Sequence, residues 1–214
     1  IPAEGVSVDT LLVSGEGTLT IAGGKITATK ILANVNIVAG ETTLALAEMD
    51  IAAGATVTYT TTGDENSEVT LPELMGEGIF SKFGPERLTL ENTRDYEPKL
   101  VWNEGTLRFK DQAYDKTYNI VAKDGAKIQV GTWTGSLTSN SLKLEGGATL
   151  WLYNGNSTSG STIKGTIIVD SSAEKPAVIQ GSRFGDNTNI AAAIKGNGVL
   201  EIQDDNDNVF TISG

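Results

Sequence analysis

Carboxylate and amide side chains are concentrated in the segment QDDNDN, which spans residues 203–208. Asp204, Asp205 and Asp207 supply oxygen ligands of the type that calcium prefers. The segment lacks the central Gly and the distal Glu of a helix-loop-helix calcium loop, so a solvated turn is the alternative interpretation. Calcium is therefore the one candidate metal ion, and the sequence indicates no other cofactor.

A second candidate site is aromatic and lies in GATLWLYNGNSTSG, residues 147–160. If Leu150 and Leu152 point inward, strand alternation directs Trp151 and Tyr153 outward. Trp133 precedes Trp151 by 18 residues, close to one coil of a solenoid, and is expected on the neighbouring rung. Together with Asn154, these rings predict a platform for sugar rings. The alternative is that the segment 63–99 or a second subunit covers them.

Catalytic chemistry is narrowly limited by composition, because the chain contains no His and no Cys. This excludes a Ser-His-Asp triad, an imidazole base, a His-ligated zinc site and a thiolate site. Asp64, Glu65 and Glu68 could include an acid and base pair for glycoside cleavage, but that chemistry needs carboxyl groups about 5–9 Å apart. Linear spacing gives no such distance. We therefore assign no catalytic residue and predict no hydrolytic or eliminative activity on polysaccharides.

Length and charge limit the class of protein. The 214 residues are most simply one domain, 1–214, and carry 27 acidic against 16 basic side chains for a net charge of −11. Phosphate backbones and anionic lipids are repelled, so we expect neither a nucleic-acid partner nor membrane insertion. No apolar run is close to the length of about 20 residues that a membrane-spanning helix needs. The start IPAEG, without a leader, fits a mature or trimmed product.

A repeated unit indicates the fold. GATVTY at 54–59, GAKIQV at 125–130 and GATLWL at 147–152 each combine Gly-Ala with an apolar-x-apolar pair, and 25 of the 214 residues are Gly. Looser copies begin near residues 15, 104, 164 and 196. Period-2 alternation predicts half-buried strands at 17–21, 126–130, 148–152 and 199–202. The predicted inner residues are Leu19, Ile21, Ile128, Val130, Leu150, Leu152, Leu200 and Ile202.

The sequence predicts an all-β fold, because helical spacing is scarce and Gly interrupts nearly every long window. The units at 125 and 147 are 22 residues apart, about the length of a coil of three short strands. This favours a single-stranded, right-handed parallel β-helix. A β-sandwich remains the alternative, since Asp124-Gly125 between two alternating runs is typical of a hairpin.

The segment 63–99 interrupts this pattern with three of the five Pro residues and a dense mixture of charges. It predicts an irregular excursion or cap. Within it, LPELMGEGIFSKF is compatible with a short helix opened by Pro72. A loop covering the side or the end of the solenoid and a functional lid are both possible roles.

GEGTLTIAGGKIT at 15–27, GGATLWLYNG at 146–155 and KGNGVLEI at 195–202 resemble the coils of secreted bacterial parallel β-helices, above all autotransporter passenger domains. The resemblance implies export to the cell surface or the extracellular space as an adhesin-like or structural stalk. No catalytic residue is carried over from these families, and the segment 63–99 departs from their pattern.

Three function classes follow from these observations. The first is a non-catalytic, surface-displayed structural or adhesin-like domain with glycans or a host or cell-surface protein as partner. The second is a polysaccharide lyase or hydrolase, and the third is a glycan-binding module. A groove with convergent charged side chains along one flank would favour an enzyme.

Overall fold

The structure is a computed structural model that describes residues 6–16, 18–33, 36–61, 63–70, 73–90, 98–110, 113–131, 135–153, 160–181, 188–203 and 210–213. This part of the chain contains strands and turns, and it holds no helix long and apolar enough to cross a membrane. The strands are β1 (Val6–Val13), β2 (Thr18–Ala33), β3 (Asn36–Ile51), β4 (Thr56–Thr60), β5 (Glu68–Thr70), β6 (Glu73–Met75), β7 (Ile79–Phe83), β8 (Arg87–Leu90), β9 (Lys99–Trp102), β10 (Gly105–Phe109), β11 (Ala113–Ala122), β12 (Ala126–Val130), β13 (Gly135–Glu145), β14 (Thr149–Leu152), β15 (Ser161–Asp170), β16 (Ala177–Gly181), β17 (Thr188–Gly196), β18 (Leu200–Gln203) and β19 (Phe210–Ile212).

The strands stack in parallel as a β-solenoid of about six turns. Sheet A contains twelve strands in the order β1-β2-β3-β4-β7-β9-β11-β13-β15-β17-β19, with β6 paired to β3. Sheet B contains seven strands in the order β18-β16-β14-β12-β10-β8-β5. The predicted parallel β-helix is confirmed. The prediction of a hairpin at Asp124-Gly125 is wrong, because these residues join β11 of sheet A to β12 of sheet B.

The three Gly-Ala units form the same corner. In each unit the Gly has a positive φ, as the third residue of a type II turn requires, and the following Ala is buried. The Ala N–H donates to the carbonyl three residues earlier and closes the turn. The values are φ +79° at Gly54 with Ala55 N to Ala52 O at 3.0 Å, φ +77° at Gly125 with Ala126 N to Lys123 O at 2.9 Å, and φ +85° at Gly147 with Ala148 N to Glu145 O at 2.9 Å.

The interior consists of ladders in which one apolar side chain per rung lies above its counterpart in the next rung. The longest ladder runs along sheet A, and its inner members are at most 3% exposed. Only the two end residues, Leu19 and Ile194, are uncovered, each at 40%. In order, the ladder is Leu19, Ile37, Val57, Phe80, Leu100, Ile120, Leu142, Ile167 and Ile194.

Sheet B has an equivalent ladder, formed by Val69, Leu88, Leu107, Ile128, Leu150, Ile179 and Ile202. The predicted inner positions of Ile128, Val130, Leu150 and Leu152 are confirmed, since all four are fully buried.

Leu19 and Ile202 occupy inner ladder positions, as predicted, opposite the buried Ile37 and Ile179. Their side chains are still exposed, because no described rung stacks on their other side. Leu200 is only partly buried for the same reason. The side chain of Ile21 lies outside the described residues.

The segment 63–99 contains β5 to β8 and the start of β9, so it contributes rungs to both sheets. The helix predicted in LPELMGEGIFSKF is wrong. Leu74 and Phe80 fill inner positions of β6 and β7, and Gly76 turns the chain between them at φ +86°. A side chain at Gly78 would collide with the carbonyl oxygens of Ala52 and Ala55, at 2.7 and 2.9 Å. Pro72 and residues 91–97 lie outside the described part.

A buried lysine stabilises the corner between β7 and β8. The Lys82 ammonium is fully enclosed and donates to three carbonyl oxygens, those of Gly84, Glu86 at 2.7 Å and Glu104 at 3.1 Å. Burial lowers the pKa of Lys82 to about 8, and the negative charges of Glu86 and Glu104 oppose this shift. The Glu104 carboxylate also accepts from Gly84 N at 3.0 Å.

The ladder predicts unequal costs for two adjacent substitutions of the same type. Ile167→Ala leaves a cavity in a fully buried ladder position and should lower the free energy of unfolding by about 2–5 kcal/mol. Ile194→Ala should cost clearly less, because Ile194 is the uncovered end of that ladder. Urea unfolding followed by far-UV circular dichroism measures both. Equal decreases in the free energy of unfolding for the two variants would contradict the assignment of Ile194 to the exposed end of the ladder.

The pKa of Lys82 predicts a pH dependence of stability. Between pH 8 and 10.5 the folded amine is mostly neutral, whereas the same amine in the unfolded chain is still protonated. The unfolded state then binds more protons, so the contribution of Lys82 to the free energy of unfolding rises with pH across this window. The free energy of unfolding of wild type, relative to that of Lys82→Met, should therefore increase from pH 8 to 10.5 when both are measured by urea unfolding. The exposed Lys195→Met is the control, and a flat difference for Lys82→Met would refute the prediction.

Candidate functional site

The outward positions of sheet B form two straight files of side chains along the solenoid axis, which together we call the sheet B face. Neighbouring rungs of a β-sheet are about 4.8 Å apart, so each file presents one side chain per rung at that spacing. The first file is Glu68, Arg87, Thr106, Lys127, Thr149, Val178 and Glu201. The second file is Thr70, Thr89, Arg108, Gln129, Trp151, Gln180 and Gln203.

Trp151 lies in the middle of the sheet B face. It points outward between the buried Leu150 and Leu152, as strand alternation predicts, and is partly exposed. The Tyr153 ring contacts it edge-on, with the ring centroids 4.7 Å apart and the planes at 81°. Lys127 Nζ lies over the Trp151 ring, 4.7 Å from its centroid. The rigid strand therefore presents two packed aromatic rings beside an ammonium group.

Polar atoms without partners are concentrated on the same face. Six buried side-chain nitrogen or oxygen atoms of the described residues have no hydrogen-bond partner, and four of them belong to the sheet B face. The four are Arg87 Nε, Arg108 Nε, Gln129 Oε1 and Trp151 Nε1. Buried polar groups normally bond to protein, ordered water or a ligand. This face therefore contains three buried donors and one buried acceptor that are unpaired within the protein.

Gln129 lies between Arg108 and Trp151 in the second file. It is 3% exposed, and its Nε2 donates to Gly131 O at 3.0 Å. That bond holds the amide plane while the Gln129 Oε1 atom stays unpaired. The position of this acceptor beside Trp151 thus depends on one hydrogen bond to the turn after β12.

An ion pair joins Glu68, on the end strand β5, to Arg108 on the sheet B face. Arg108 Nη2 donates to Glu68 Oε1 at 2.6 Å, and the Thr89 hydroxyl donates to the same carboxylate oxygen. Asp64, in the turn before β5, instead accepts from Asn66 N at 2.9 Å and Ser67 N at 2.8 Å. Hydrogen bonds from Ser67 and Asn66 lower the pKa of Asp64. Of the three carboxylates singled out in the sequence, Glu68 therefore serves an ion pair and Asp64 a turn.

Sheet A carries a groove of about 430 Å³ on its outer side. Lys99, Lys143, Glu77 and polar amide and hydroxyl groups line it above an apolar floor. The Lys143 ammonium is bonded to Asp170 at 2.5 Å and to Glu145 at 3.3 Å. The hydrogen bond with Asp170 is the main cause that raises the pKa of Lys143. No aromatic ring lines this groove, which distinguishes it from the sheet B face.

The remaining predicted site residues lie outside the described part of the chain: Trp133, Asn154, Asp204, Asp205 and Asp207. Their roles as ligand-binding or calcium-binding residues therefore stay predictions. Within the described residues, no group of three or more acidic side chains is arranged to hold a metal ion.

Sequence reasoning missed most of the sheet B face, although a signal was present. Superposing the repeat units GTLRF, GAKIQV, GATLWL and AVIQG places Arg108, Gln129, Trp151 and Gln180 at the same position. That position follows the inner ladder residue in each unit. A comparison of outer positions would have identified the file along with the ladder.

Comparisons of the chain with protein-family models, with curated proteins and with solved structures gave no match.

Proposed function

We propose that this protein is a non-catalytic, adhesin-like β-solenoid domain that binds glycans through the sheet B face. The observation that carries the proposal is the half-buried Trp151–Tyr153 pair, set among four polar atoms that lack partners. Flat aromatic faces pack against the apolar faces of sugar rings, and sugar hydroxyls both donate and accept hydrogen bonds. The face thus combines an apolar body with orienting polar groups.

Display outside the cell, as part of a secreted bacterial surface protein, belongs to the same proposal. It is supported by the stacked parallel rungs, the acidic and cysteine-free composition, and the sequence resemblance to passenger domains. A rigid solenoid holds its outer side chains on strands, where their spacing is fixed by backbone pairing. Such a scaffold suits recognition of an extended polymer.

Replacing Trp151 tests the proposal. Trp151→Ala should weaken glycan binding at least about tenfold, because it removes the central aromatic surface of the face. Titration of wild type with a panel of soluble polysaccharides, followed by tryptophan fluorescence and isothermal calorimetry, identifies the ligand and its affinity. Trp102 is fully buried, so a ligand-dependent change in fluorescence is not expected from that residue.

Val121→Ala, a substitution in the wall of the sheet A groove, is the matched control and should leave glycan binding unchanged. Tyr153→Ala should weaken binding in the same direction as Trp151→Ala. Unchanged binding by Trp151→Ala, with or without a loss of stability, would assign Trp151 to packing and refute the site.

The non-catalytic part of the proposal has its own readout. We expect polysaccharides to be recovered from the protein without new reducing ends or unsaturated products. Sustained product release that is lost on replacing a single Asp or Glu would overturn this part of the proposal.

A further inference from the structure

We infer that the ligand of the sheet B face is an anionic polysaccharide, lying along the solenoid axis with its acidic groups against a row of cations. The inference rests on the proposed glycan-binding function and adds the chemical class of the glycan. The row consists of Arg87 on β8, Arg108 on β10 and Lys127 on β12.

The charge of the face is opposite to that of the chain. The protein as a whole carries 27 acidic and 16 basic residues. On the two outward files from β8 to β16, three residues are cationic and none is acidic. Acidic residues occur only on the end strands, as Glu68 on β5 and Glu201 on β18. Glu68 forms one ion pair, with Arg108, so the row keeps an excess of positive charge.

The spacing of the cations suits a linear polymer. Arg87, Arg108 and Lys127 lie on three successive rungs, about 4.8 Å apart along the axis, and the next rung carries Trp151. Arg108 belongs to the second file, and the other two cations belong to the first. A chain that lies along the axis therefore meets one cation on each of three rungs before it reaches the aromatic pair. A single small anion would use only part of this row.

Lys127 links the charge to the aromatic surface. Its ammonium is 4.7 Å from the centre of the Trp151 ring, so a sugar packed beside that ring lies next to the positive charge. A carboxylate or sulfate on that sugar replaces the water that the ammonium loses on binding. A neutral sugar at the same place removes that water without supplying a charged partner, which costs free energy.

The unpaired atoms are consistent with the same ligand class. Arg87 Nε and Arg108 Nε are donors, and charged acceptors form the stronger hydrogen bonds with guanidinium groups. Gln129 Oε1 is an acceptor, for which a sugar hydroxyl is a donor. An acidic polysaccharide supplies both kinds of group on one chain.

The test compares polygalacturonate with its fully methyl-esterified form, which has the same rings without the charge. Calorimetry of wild type should give an affinity about tenfold or more higher for the charged chain. Lys127→Gln should abolish most of this preference, and Lys127→Arg should retain it. Lys195→Gln, the same charge change at an exposed site on β17, should leave it unchanged.

Dextran sulfate and unmodified dextran form a second charged and neutral pair, which separates recognition of sulfate from recognition of carboxylate. Preference for the charged member of either pair, dependent on both Lys127 and Trp151, supports the inference and identifies the acidic group. Polyanion binding that is insensitive to Trp151→Ala indicates non-specific ion exchange and overturns it.

The inference and the proposed function fail in different ways. If charged and neutral chains bind equally and Trp151→Ala weakens both, the glycan-binding face stands and its anionic specificity is refuted. If no polysaccharide binds in a Trp151-dependent manner, both are refuted.

Discussion

Stacking of one apolar side chain on its counterpart in the next rung is the interaction on which the solenoid depends. A single rung cannot bury its own inner face, so each ladder residue requires a neighbour on both sides. Burial of a Leu or Ile side chain contributes roughly 1.5–3 kcal/mol, and the ladders repeat this contribution from rung to rung. The exposure of Leu19, Ile194 and Ile202 follows from the same rule, since each lacks one ladder neighbour among the described residues.

The ladders also determine what the outer surface can do. When inner residues are in register, parallel pairing brings the outer residues of successive rungs into register as well, as with Gln129 and Trp151 beside Leu150. Outer side chains of sheet B therefore come in files with a fixed spacing. This geometry suits an extended ligand and explains why the aromatic pair, Gln129 and the cations share one face of sheet B.

Local patterns of the sequence predicted the parts of the fold that repeat. The Gly-Ala corners and the alternation around Leu150 each span only a few residues. These local patterns were therefore sufficient to predict the rungs and the outward direction of Trp151. The strands within 63–99 were harder to predict, because charged and bulky residues obscure the alternation of Leu74 and Phe80. Lys82 could not be identified as buried, since its enclosure depends on carbonyl oxygens from two rungs.

The net charge of the protein and the local charge of the sheet B face have opposite effects on an anionic ligand. The net charge of −11 repels a polyanion at long range, within a screening length of about 10 Å at 0.1 M salt. The row of Arg87, Arg108 and Lys127 attracts it only on contact. Under the inference of an anionic ligand, such a chain gains affinity where it matches the spacing of the row and is repelled elsewhere on the surface. Under the same inference, the acidic surface thus increases selectivity for ligands that fit the sheet B face.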